Sequence, residues 1–144
     1  MSAEQIFLYT TWLALAGWVV LILALFFKIP YKTVTWGIIP ILLSIVYAYL
    51  VFTYFGDAEG GFDTLDELSQ LFQNKHALLA GWIHYLAFDL WLGYWQLRDS
   101  KEKGVNRWLL IPCFFFTLVY GPVGLLLYLM IRMVSTRKLI HENF

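Results

Sequence analysis

Asp89 is the residue of this chain whose type and setting most favour chemistry. It stands near the middle of an apolar stretch, residues 77–97, that holds one other polar titrating group of interest, His84. A carboxylate at the centre of a membrane helix costs about 3 kcal/mol on insertion scales, so it is not kept there without a use. One use is chemical: a buried acid that holds a proton and delivers it. The other is structural, a polar clasp that hydrogen-bonds a neighbouring helix. The chemical reading is carried forward with Asp89 as proton donor.

The residues around Asp89 set what that donor would act with. His84 lies five positions earlier, which turns it about 140° away on a helix, so the two do not form a dyad on one stripe. His84 either flanks a ligand lying across the helix, as base or second polar anchor, or faces another helix as a satisfied core residue. Tyr85, at i−4, shares the face of Asp89. Tyr47 and Tyr120 fall at a similar depth in the neighbouring apolar stretches. Gly121-Pro122-Val123-Gly124 interrupts the last stretch; Pro122 removes a donor and frees the Leu118 carbonyl, a break that either lines a cavity or serves as a packing kink. Trp82, Tyr85 and Phe88 belong to an aromatic run that either packs against other helices or lines an elongated apolar ligand, steadying positive charge through π faces. Too few ligands assemble for a metal, and no cofactor is expected. Cys113, in an apolar run, reads as a packing residue.

Positioning these groups requires helices, and the composition says in what solvent. Hydrophobic residues make up 60% of the 144-residue chain and charged residues 14%, against about 45–50% and about 25% in soluble domains. Mean hydropathy is +0.66. A soluble fold of this length leaves too little interior for that much apolar surface, so lipid must cover part of it. With formal net charge +0, nothing points to nucleic acid.

Four stretches reach the ~20 residues that cross a bilayer: residues 6–27, 34–55, 77–97 and 108–131. The expected fold is therefore all-α, one polytopic membrane domain built as a four-transmembrane-helix bundle. The first stretch lacks a basic leader and a small-residue cleavage site, so it reads as a span and not as a signal. The first connection is basic, with Lys28 and Lys32. The second is acidic, and Thr64 with Glu67 caps a short interfacial helix there. The third, residues 98–107, is again basic. The positive-inside rule puts the two basic connections in the cytoplasm and the N-terminus outside. Four spans then carry Arg132, Arg137 and Lys138 outside as well, against the same rule. The localisation expected is a bacterial inner membrane or a plastid-type membrane.

Gly81-Trp82-Ile83-His84-Tyr85-Leu86-Ala87-Phe88-Asp89-Leu90, followed by Arg98-Asp99-Ser100 and by Trp108, Pro112 and Gly121-Pro122-Val123-Gly124-Leu125-Leu126-Leu127-Tyr128, resembles the abscisic-acid-deficient-4-like family. Plant members of that family are implicated in converting violaxanthin to neoxanthin in plastid membranes. The resemblance implies a polyene ligand and an acid–base isomerisation within the membrane, by epoxide opening or double-bond rearrangement. The partners expected are a carotenoid or other apolar polyene and membrane lipid, with a second copy of the chain or a partner enzyme as further candidates. Two other functions stay open: a non-catalytic carotenoid or lipid carrier, and a small proton-coupled transport protein.

Overall fold

A capping box starts the first helix: Ser2 Oγ accepts from the Gln5 amide at 3.2 Å and Gln5 returns the bond to the Ser2 amide at 2.9 Å. The computed structural model describes residues 1–136, and these form helices and their connections, with no strand among them. The helices are α1 (Ala3–Phe26), α2 (Ile39–Tyr54), α3 (Leu65–Leu71), α4 (Lys75–Lys103), α5 (Arg107–Tyr120) and α6 (Pro122–Thr136). A π-helical segment, Thr33–Ile38, leads into α2. It ends two residues before Pro40, whose ring crowds the carbonyl four residues back, that of Trp36; the wider turn relieves the crowding.

Two elements are long and apolar enough to cross a bilayer by length and composition: Ala3–Phe26 and Thr33–Asp57. With them, α4 forms the body of the protein. It runs through the centre, packed against α1, α2, α5 and α6, and α1 also meets α5 through Trp18 and Phe114. Glycines let the helices close up. A Cβ on Gly17 of α1 would meet Leu90 at 2.7 Å, and one on Gly93 of α4 would meet Trp18 at 2.6 Å. The short helix of the acidic connection is α3; Thr64 caps it, accepting from the Glu67 amide, and it buries Leu71 while Leu65 stays exposed.

The fourth stretch corrects the expectation. Residues 108–131 do not form one crossing helix. The chain breaks at Gly121 (φ +43°), and a Cβ on Gly124 would overlap the backbone of Thr117. In a continuous helix those two positions stand about 10 Å apart along the axis. α5 and α6 are therefore the arms of a helical hairpin. Its tip lies against Asp89, which has 14 residues of α4 before it and 14 after it. Each arm, at 14 and 15 residues, is about 22 Å long, short of the ~30 Å hydrocarbon core.

Buried polar contacts fasten the hairpin to α4. Gln96 Nε2 donates to Thr117 Oγ1 at 2.9 Å, and Thr117 in turn donates to the Cys113 carbonyl. Further along, Tyr128 donates to Asp99 Oδ2 at 2.6 Å, and Arg132 Nε lies 2.7 Å from the same oxygen. Asp99 and Arg132 are each 3% exposed.

This return bears on the charge conflict of the four-span reading at Arg132. Lys101 donates to the Ala24 carbonyl and covers the Tyr31 ring, and Arg107 stands over Phe26, so the two basic connections share one end. Arg132, held by Asp99, is brought back toward that end. Lys75 and Glu4 pair at the other end, 3.3 Å apart. Arg137 and Lys138 lie outside the described residues.

Candidate functional site

The break that Pro122 imposes on the last stretch builds the site. A proline in a helix leaves the carbonyl four residues before it without its usual donor, here Leu118. The Tyr85 hydroxyl fills that vacancy, donating to Leu118 O at 2.9 Å. Gly121, the residue at the bend, packs on the carboxyl of Asp89: a Cβ there would meet Asp89 Oδ1 at 2.7 Å. The positive φ and this contact both call for glycine.

Asp89 is 8% exposed, and its Oδ2 has no hydrogen-bond partner among the described residues. Tyr85, one turn earlier on α4, interacts with the same carboxyl. The residues Asp89, Tyr85, Leu118 and Gly121 thus form one unit where α4 meets the hairpin tip. A buried carboxyl oxygen left unbonded is unusual in a folded protein and calls for an explanation.

Tyr85 also lines a groove of about 530 Å³, together with Phe72, Leu78, Gly81, Trp82, Leu118 and Val119. Phe72, at the end of α3, sits over Gly81. Trp82 stacks on Tyr85, with ring centroids 5.5 Å apart, and its indole donates to Thr11 of α1 at 3.0 Å, which fixes the ring. The groove is lined mainly by apolar side chains, and Tyr85 brings the one hydroxyl among them. It is of the size and polarity that take one end of an apolar ligand.

The other expected site residues fall elsewhere. His84 faces outward on α4, stacked on Phe88 at 4.6 Å and 5.7 Å from the Tyr47 ring. Phe88 is 60% exposed. His84, Phe88 and Tyr47 therefore make their own aromatic cluster toward α2, on a different face from Asp89. Tyr120 points outward beside Phe116, and Pro122 is exposed at the tip. None of them is placed against the Asp89 carboxyl, where Tyr85 and Gly121 stand.

Sequence reasoning passed over Gln96, Thr117, Asp99, Tyr128 and Arg132, the set that holds the hairpin closed. The signal for two of them was present: Asp99 was read as part of a basic connection, and Arg132 stood on the wrong side of the four-span topology. No group of three or more metal-ligating side chains occurs among the described residues.

A family model described as ABA DEFICIENT 4-like matches residues 5–128, nearly the whole chain. No curated protein and no solved structure matches it.

Proposed function

The chain belongs to the ABA4-like family, and on that premise we propose that it is a membrane-embedded isomerase of a carotenoid or related polyene, with Asp89 as the proton source and Tyr85 as the group that touches the ligand. The observation that carries this reading is the unbonded Oδ2 of a buried aspartate one helical turn from Tyr85, which supplies the one hydroxyl of an apolar groove. Family membership is consistent with a carotenoid-related role. Two membrane-length apolar helices agree with a membrane location.

The chemistry balances within those residues. An oxygen function at the ligand's end, such as an epoxide, enters the groove near Tyr85. Tyr85 turns its proton from the Leu118 carbonyl to that oxygen, and Asp89 replaces the proton on Tyr85. As the C–O bond breaks, its electron pair goes to oxygen and positive charge spreads into the polyene. The Trp82 face beside Tyr85 steadies that charge. The Tyr85 oxygen then takes a C–H proton from the ligand while passing its own proton back to the Asp89 carboxylate, so no net acid is consumed. A dry groove serves this sequence, because water would capture the cation. His84, on its separate face, has no part in these steps.

The experiment uses protein purified from a carotenoid-producing host and assayed in lipid nanodiscs with an epoxy-carotenoid. Retention of pigment together with chromatographic appearance of an isomer of unchanged mass is the expected result. Retention without conversion would make the protein a carrier. Neither retention nor conversion would remove the polyene reading.

A further inference from the structure

The half of α4 beyond Asp89 borders a second cavity, of about 790 Å³, that the proposed chemistry does not use. It is built on the π-helical segment Thr33–Ile38, which contributes Trp36, Gly37 and Ile38, with Ile41 following from α2 and Tyr94 from α4. π-helical turns are rare, poorly bonded and frequently found at functional sites. Here the wider turn carries Gly37 at the wall, and a Cβ on it would meet nothing within 4 Å, so the cavity floor is open.

Two cations flank the cavity from different elements: Lys32, just before the π segment, and Arg98 on α4. Arg98 also pairs with exposed Glu102 at 2.9 Å. Lys101, past the apolar stretch, adds a third positive charge. Its amine lies over the Tyr31 ring and donates to the Ala24 carbonyl, outside the cavity lining. The acidic residue among these groups is Glu102. Cations gathered where an apolar wall meets the basic end of a helix bundle are the arrangement that holds an anionic lipid headgroup.

We propose that this cavity binds one anionic phospholipid, its phosphate between Lys32 and Arg98 and an acyl chain along Ile38, Ile41 and Leu42. The charge argues for that occupant over a zwitterionic lipid, and the apolar wall argues for a lipid over a free anion. The site lies at the end of α4 opposite the Trp82–Tyr85 groove, so the two stand or fall separately.

Native mass spectrometry of the intact protein, released from mild detergent and titrated with dioleoyl phosphatidylglycerol or dioleoyl phosphatidylcholine, tests it. Phosphatidylglycerol should bind at one molecule per chain and at least tenfold more tightly than phosphatidylcholine. Lys32→Gln with Arg98→Gln should bring phosphatidylglycerol down to the phosphatidylcholine level. Gly37→Leu, which fills the floor and keeps both charges, should weaken it as well. A control pair, Lys103→Gln with Arg107→Gln, removes the same charge outside the cavity and should leave binding intact. Equal binding of the two lipids by the parent protein, full binding by the Lys32/Arg98 pair, or equal loss in the control pair would each overturn the assignment.

Discussion

Asp89→Asn should fold and insert as the parent protein does, retain polyene, and lose turnover by a factor of roughly 10²–10⁴, the usual contribution of a positioned proton donor. Asparagine matches aspartate in shape and fits the space against Gly121, where the carboxyl already packs. It has no proton to pass to Tyr85. The structural alternative makes the opposite forecast. If Asp89 only clasps the hairpin tip, the amide, which both donates and accepts, does that work as well and activity persists. Tyr85→Phe adds discrimination. It removes the group that touches the ligand and also strips the donor from the Leu118 carbonyl, so it should lower both turnover and stability, the latter by about 1–3 kcal/mol. Full activity in Asp89→Asn with bound polyene would end the acid assignment.

The second large effect concerns stability. Arg132→Ala should cost about 3–5 kcal/mol, because it withdraws the guanidinium from a carboxylate that stays buried. A loss of that size lowers the midpoint of thermal unfolding by roughly 10 °C or more in a domain of this length. Asp99→Asn with Arg132→Met removes both charges and should recover most of the loss, since replacing a buried pair with neutral groups is often close to neutral. Thermal unfolding in detergent, followed by circular dichroism, reads all three proteins. If Arg132→Ala melts with the parent, the ion pair at 2.7 Å does not hold the hairpin to α4.

The parts of this structure that sequence foretold are those fixed by local chemistry. A carboxylate amid apolar residues has to be buried and central, and Asp89 is. Pro122 had to orphan the Leu118 carbonyl, and the structure supplies the Tyr85 hydroxyl as its donor. The angular separation of His84 from Asp89 followed from helical geometry and agrees with their separate faces. What escaped were features set by tertiary contacts. Hydropathy over residues 108–131 is the same whether the segment runs straight or folds back, so it could not reveal the hairpin. The hints were Gly121, Pro122 and Gly124 together, and the charge of Arg132 on the wrong side. Equal depth likewise could not tell that Tyr47 and Tyr120 are not placed against the Asp89 carboxyl, because rotation is decided by what each helix packs against.

Both the site and the stability of the protein depend on the chain turning back at Gly121, and topology measures this directly. If α1, α2 and α4 each cross and the hairpin returns, the two ends of the described chain lie on opposite sides of the membrane; four crossings would put them on the same side. Single cysteines at Ser2 and at Ser135, each in a Cys113→Ala background, can be probed in sealed vesicles of known orientation with a thiol reagent that does not cross lipid. The hairpin predicts that the reagent reaches one of the two positions from outside and the other only after the vesicles are opened. Labelling of both positions from the same side would contradict it.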